Sequence, residues 1–177
     1  ASDVYKRQGN TRVTARYLRK PFNLNSKKVR KATLYICGLG FYEAYINGKK
    51  IGDQVLAPTP TDYSKSVKYN RFDVTGQLLK GANAIGVILG NGRYTSMRMP
   101  GVRHFDVPKM IAQLEVYYED GEKRVIASDA SWKITAEGPI GTNNEFDGEE
   151  YDARKEMPGW NTYPFDDTKW LQAEVVS

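Results

Sequence analysis

The sequence predicts an all-β domain, and three observations predict it. Apolar and polar side chains alternate with a period of two through several segments, most plainly residues 42–46 and 110–118. Turn dipeptides, Asn47-Gly48 and Asp120-Gly121, stand between apolar-rich runs. No helix-period run exceeds about two turns, and there are no heptads or repeats. Composition points the same way, with 12 Tyr, 16 Gly and 3 Trp among 177 residues, a length suited to one hydrophobic core.

In chain order, residues 1–12 are expected to be a non-native or disordered leader and 13–177 a single β-sandwich domain. The first eight residues contain no apolar stretch of the kind a secretory signal needs, and they resemble a translated sequencing adapter, so the chain reads as a fragment. Residues 13–18 and 28–36 read as strands separated by a loop over 21–26. Residues 34–37 and 42–46 follow as strands joined by a bulge or sheet corner at Gly38 and Gly40. A type I′ turn at Asn47-Gly48 needs φ > 0 at both positions and pairs Ile46 with Lys49, Tyr45 with Lys50 and Ala44 with Ile51. Ala44, Ile46 and Ile51 then face the core, while Glu43, Tyr45 and Lys50 face solvent or a neighbouring domain.

Two prolines make residues 57–63 a surface loop. Residues 67–74 alternate as a strand, and 73–81 form a short helical turn stopped by glycine. Residues 83–90 are apolar on both faces, which suits a strand in the sandwich interior where Gly86 admits a close neighbour. The breaker-rich stretch 91–105 is the longest excursion from the sheets. Residues 110–118 and 123–127 form a second hairpin, expected as type I′ at Asp120-Gly121. Residues 131–135 are a short strand, 138–141 a turn, 143–154 an acidic and aromatic segment without strand alternation, and 165–176 a turn feeding a last strand.

Charge and chemistry exclude several functions. The net charge is +5, but residues 1–35 hold ten of the 26 Lys/Arg and only one of the 21 Asp/Glu, leaving 16 basic and 20 acidic residues beyond them. Nucleic acid is therefore not expected as a partner, and the basic excess reads as a solvated N-terminal arm. No stretch approaches the roughly 18 apolar residues of a membrane span. The lone Cys37 reads as a small buried hydrophobe, and the compartment stays open between periplasm, cytoplasm and exterior.

Histidine occurs once, as His104, which rules out a His cluster, and a surface-loop histidine is its expected reading. The carboxylates Asp147, Glu149, Glu150 and Asp152, and the pair Asp166/Asp167, contain the groups a glycosidase uses. Adjacent acids in turns ordinarily make caps, ion pairs or a solvated face, so no catalytic residue is assigned. A structural calcium could use the same oxygens, but no EF-hand spacing supports one, and no metal or cofactor is expected. Tyr63, Tyr94 and Trp160 fall in loops, where each either stacks on a sugar ring, plugs an end of the sandwich or packs on a neighbouring domain.

Four motifs carry a resemblance. Residues 34–53, then Leu56-Ala57-Pro58 with Thr61-Asp62-Tyr63, then Leu89-Gly90-Asn91-Gly92-Arg93-Tyr94, and finally residues 147–154 with Gly159-Trp160, occur in the order found in the N-terminal domain of bacterial α-L-rhamnosidases. The chain resembles that family over about residues 30–176, although Arg93 stands where an aromatic is common and Pro60 where tryptophan often stands. The resemblance implies a jelly-roll β-sandwich of the galactose-binding type, with at most short helical turns, placed before an (α/α)₆ catalytic barrel in the same polypeptide. It further implies a non-catalytic domain acting with a rhamnose-containing glycan. Tyr63, Arg93 and Tyr94 are the expected carbohydrate contacts. Asp147, Glu149, Tyr151, Asp152, Arg154 and Trp160 are the expected interdomain contacts. A free-standing carbohydrate-binding module and a structural, protein-binding sandwich are the alternatives.

Overall fold

The computed structural model describes residues 13–95, 106–145 and 148–176. The leader 1–12, most of the excursion 91–105 with His104, and Asp147 lie outside these. Among the described residues there are twelve strands and two single 3₁₀ turns, at Thr75–Gln77 and Ala153–Lys155. No helix among them is long and apolar enough to cross a membrane.

The strands are β1 (Arg16–Leu24), β2 (Val29–Leu39), β3 (Tyr42–Ile46), β4 (Lys49–Lys50), β5 (Asn70–Asp73) and β6 (Gly81–Leu89) in the first half. The second half adds β7 (Lys109–Tyr118), β8 (Lys123–Ala127), β9 (Lys133–Thr135), β10 (Ile140–Asn144), β11 (Gly148–Tyr151) and β12 (Leu171–Gln172). They build a six-stranded sheet of order β12-β9-β1-β6-β3-β4, a four-stranded sheet of order β5-β2-β7-β8 and a separate hairpin β10-β11. Every pairing is antiparallel. The two large sheets face each other as a jelly-roll sandwich, with Leu18, Ile46, Ile85 and Val87 of one against Leu34, Ile36, Leu114 and Val116 of the other.

The central hairpin has the predicted register, Tyr45 opposite Lys50 and Ile46 opposite Lys49, with Asn47 (φ 51°) and Gly48 (φ 81°) both left-handed. Ala44, Ile46 and Ile51 are buried, as the alternation requires. The sheet corner is Gly40 alone. Its φ is 121°, and a Cβ there would lie 2.1 Å from the Gly90 carbonyl oxygen, so the crossing between sheets admits only glycine. Gly38 instead continues β2, opposite Met110.

Three strand expectations are corrected. β1 runs through Pro21 to Leu24 where a loop was expected; β9 pairs only with Tyr17, Leu18 and Arg19, so beyond them one side of β1 is an open edge that tolerates a proline. The second hairpin is not type I′. Gly121 (φ 88°) is its only left-handed residue, and Gly121 N–H reaches Tyr118 O at 3.1 Å across a three-residue loop. The β10-β11 hairpin begins at Ile140, inside the turn expected over 138–141, and runs into the segment 143–154 although that segment lacks alternation, because neither strand buries a face deeply.

The basic N-terminal stretch is not a solvated arm from residue 16 onward. Arg16 and Arg19 are buried in β1, Lys20 pairs with Asp129, and Lys27 pairs with Asp120 and Glu122. Arg19, Lys20 and Lys27 answer acids elsewhere in the chain, a partnership local composition cannot show.

A second apolar cluster covers the outer face of the six-stranded sheet. Ala15 and Tyr17 pack there with Trp160 and Trp170, flanked by Tyr45, Ile88, Met157 and Phe165. Burial pushes the Tyr17 hydroxyl up to about 12. This explains why β6 is apolar on both faces: Ile85 and Val87 look into the sandwich, while Gly86 and Ile88 meet the C-terminal segment. The close neighbour expected at Gly86 is Trp160 with Asn161.

Candidate functional site

The loops between β3 and β5, after β6 and around β10-β11 meet at one end of the sandwich. Asn91 joins them: its backbone N–H donates to Asn143 Oδ1 at 2.7 Å, and its side-chain amide donates to Asn143 O at 2.9 Å. The same amide also donates to Val13 O at 2.5 Å, so the buried side-chain N–H groups are met by backbone of two segments, while the buried Oδ1 has no protein partner among the described residues.

Two of the three expected carbohydrate contacts touch each other. The Tyr63 and Tyr94 rings meet edge to face, with centroids 5.2 Å apart. Burial raises both hydroxyls, opposed at Tyr63 by the Arg93 charge. Tyr94 is buried and Tyr63 half-buried, so neither ring offers an open platform. Arg93 turns to Glu145 in a two-point ion pair, with Nη2 donating to Oε1 at 2.6 Å and Nε donating to Oε2. That hydrogen bonding holds the Glu145 carboxyl below its usual range.

Glu145 also lines a cleft of about 440 Å³ with Phe41, Glu43, Leu56, Ile88 and Asn143. Sequence reasoning missed both Glu145 as partner and this cleft. Leu56 stands at its edge with φ 60°, an uncommon conformation for a bulky residue, and with its side chain exposed. The one available signal was the motif Leu56-Ala57-Pro58 itself, since nothing local tells that residues 56, 88 and 145 converge. Glu43 is drawn up by burial and more strongly down by hydrogen bonds from Lys50 and Tyr45, so its carboxyl ends below the usual range.

The expected interdomain residues divide. Glu149, Tyr151 and Arg154 are exposed on or beside β11, and Asp152 is partly so. The Arg154 fork binds Asp152, with Nε to Oδ1 and Nη2 to Oδ2 both at 2.8 Å, while Asp152 caps the following 3₁₀ turn. Tyr151 Oη donates to Glu156 Oε1 at 2.8 Å. Trp160 is placed differently. It is 9% exposed and packed edge to face on Tyr17 at 5.1 Å and Tyr45 at 5.8 Å, so its contacts are within this chain. Buried Arg19 reinforces that placement, donating through Nε to Trp160 O and through Nη2 to Thr162 O, each at 2.8 Å, and pairing with Asp167.

Every Asp or Glu displaced among the described residues is displaced downward. A glycosidic general acid needs the opposite, a carboxyl kept protonated near neutral pH. No group of three or more His, Cys, Asp or Glu among the described residues could hold a metal ion.

Residues 27–177 match the α-L-rhamnosidase N-terminal domain family. An α-L-rhamnosidase of Formosa agariphila is 42% identical over 163 residues, which is 88% of this chain and 17% of that protein. The α-L-rhamnosidase of Streptomyces avermitilis, solved in complex with L-rhamnose, superposes with a TM-score of 0.87 at 42% identity, over 91% of this chain and 16% of that one. The Aspergillus terreus enzyme gives the same TM-score at 38% identity, over 94% of this chain and 20% of that one. The chain spans 15 to 18% of the length of the curated relatives it matches.

Proposed function

The chain belongs to the α-L-rhamnosidase N-terminal domain family, and from that premise we propose that residues 13–177 form one non-catalytic domain of a longer α-L-rhamnosidase, buttressing a catalytic barrel in the same polypeptide. The observation carrying this reading is that a match over nearly the whole chain, residues 27–177, covers less than a fifth of each curated relative. The carboxylate chemistry agrees. Glu43, Glu145 and Asp152 are tied to Lys50, Arg93 and Arg154, which suits structural ion pairs and holds these three carboxyls in the ionised form rather than as proton donors.

Within this role, the exposed hairpin side chains Glu149, Tyr151, Asp152 and Arg154, together with Asp147, supply a polar interdomain surface, a composition usual between domains of one chain. Trp160 serves that surface by anchoring the C-terminal segment to the sheet. Contact with a rhamnose-containing glycan falls to Tyr63, Arg93 and Tyr94, through the exposed side of the Arg93 fork and the half-buried Tyr63 ring.

The test has two arms. The purified 177-residue chain should release no rhamnose from an aryl α-L-rhamnoside, whereas the complete polypeptide encoded by its gene should; release by the chain alone above a no-protein control refutes the non-catalytic assignment. Calorimetry with L-rhamnose and the aryl rhamnoside addresses the glycan contact. Absence of heat at millimolar ligand removes the binding role and leaves the buttress.

A further inference from the structure

The two sheets treat their outer faces differently. Trp160, Phe165 and Trp170 of the chain's own C-terminal segment cover the six-stranded sheet. On the four-stranded sheet, a groove of about 580 Å³ is lined by Tyr35, Cys37, Val67, Tyr69, Ile111 and Val176 among others. Tyr69 is 66% exposed, Ile111 67%, Val176 52% and Val67 44%. Single exposed apolar residues are ordinary on any protein surface, but four that share one groove mark a surface built to be covered.

The chain's own route indicates what covers it. After β12, Ala173 N–H donates to Trp132 O at 2.8 Å, and the backbone then brings Val176 into the groove. Polypeptide continuing from there is delivered to this face already tethered. A tethered segment meets its site at an effective concentration of roughly millimolar, far above that of a second free molecule in the cell. We propose that this groove is the docking seat for the polypeptide following residue 177 in the longer chain, which presents an apolar surface to Tyr69 and Ile111. The proposal rests on the reading of this chain as part of a longer rhamnosidase.

Hydroxyl-radical footprinting of the 177-residue chain and of the complete polypeptide tests it. Oxidation of Tyr69 and Ile111 should fall about fivefold or more in the complete polypeptide, as for side chains sealed in an interface core. Ile111→Lys, at an exposed position, should leave the unfolding midpoint of the 177-residue chain unchanged and return Tyr69 oxidation in the complete polypeptide towards the level of the short chain. Equal oxidation in both proteins overturns the proposal, as does Tyr69 protection that survives Ile111→Lys. Protection that instead grows with concentration in the 177-residue chain assigns the groove to a second copy. A complete polypeptide that hydrolyses a rhamnoside while Tyr69 stays reactive refutes the docking alone; one that protects Tyr69 without hydrolysis refutes the rhamnosidase reading alone. A reading frame that ends after residue 177 refutes both.

Discussion

Gly86→Ala should loosen the C-terminal segment, and its cost can be worked from one row of the sheet. Gly86 lies between Arg19 on β1 and Tyr45 on β3, and all three positions meet residues 160–162. A Cβ on Gly86 would stand 2.6 Å from Asn161 Cβ and 2.7 Å from Trp160 Cζ3. Carbon contacts settle near 3.5–4.0 Å, so the segment must retreat by about 1 Å. Such a retreat stretches the 2.8 Å bond from Arg19 Nε to Trp160 O beyond useful hydrogen-bond length. Overpacking costs about 1–3 kcal/mol, and a weakened bond from a charged donor adds about 1 kcal/mol or more, giving about 3 kcal/mol. For a domain of this size that lowers Tm by about 6–12 °C. Urea unfolding followed by tryptophan emission is the assay, because Trp160 and Trp170 both sit in the affected cluster. Gly76→Ala is the control, since a Cβ there meets nothing within 4 Å, and it should stay within about 0.5 kcal/mol of the parent. If Gly86→Ala does the same, with unchanged native emission, the close packing described for this row is wrong.

Two further outcomes follow from the ion pairs. Arg19→Met keeps the apolar stem but strands the Asp167 carboxylate and two carbonyls, and should cost about 3–5 kcal/mol; adding Asp167→Asn should recover part of it, so additivity within about 0.5 kcal/mol in the double-mutant cycle would contradict a direct pair. Glu145 is held below its ordinary value by Arg93, so the unfolded chain binds the proton more readily. Stability from this pair is therefore fully present above the ordinary glutamate value of about 4.3 and is lost as pH falls through the lower folded value. Glu145→Gln should flatten the acid limb of the stability profile measured by urea titration; an unchanged slope below pH 4 would show that the pair does not form in solution.

The features legible in the sequence were those set by neighbours along the chain. Asn47-Gly48 carries a two-residue turn, and the period of two then places Ala44, Ile46 and Ile51 on one face, whatever the rest of the molecule does. Asn47 also donates to Gln77 O at 2.9 Å and to Asn83 Oδ1 at 2.8 Å, which its role as a turn former does not suggest. At the site, the loops holding Tyr63, Arg93 and Tyr94 were identifiable from breakers and motif order. The edge-to-face contact of two rings 31 residues apart was not, nor was the pairing of Arg93 with Glu145.

Residues 42–46 show where the boundary lies. Alternation by itself determined that Glu43 and Tyr45 share a face opposite Ala44 and Ile46, because successive side chains of a strand must point to opposite sides. It was silent on whether that face meets water or protein. Only the return of residues 157–170 over the six-stranded sheet put Trp160 against Tyr45, left Gly86 no room for a side chain and buried Arg19 in β1. Local pattern sorts residues into faces through backbone geometry; what covers a face is decided by packing between segments 74 (Gly86 to Trp160) to 148 (Arg19 to Asp167) residues apart, and that exists only in the folded chain.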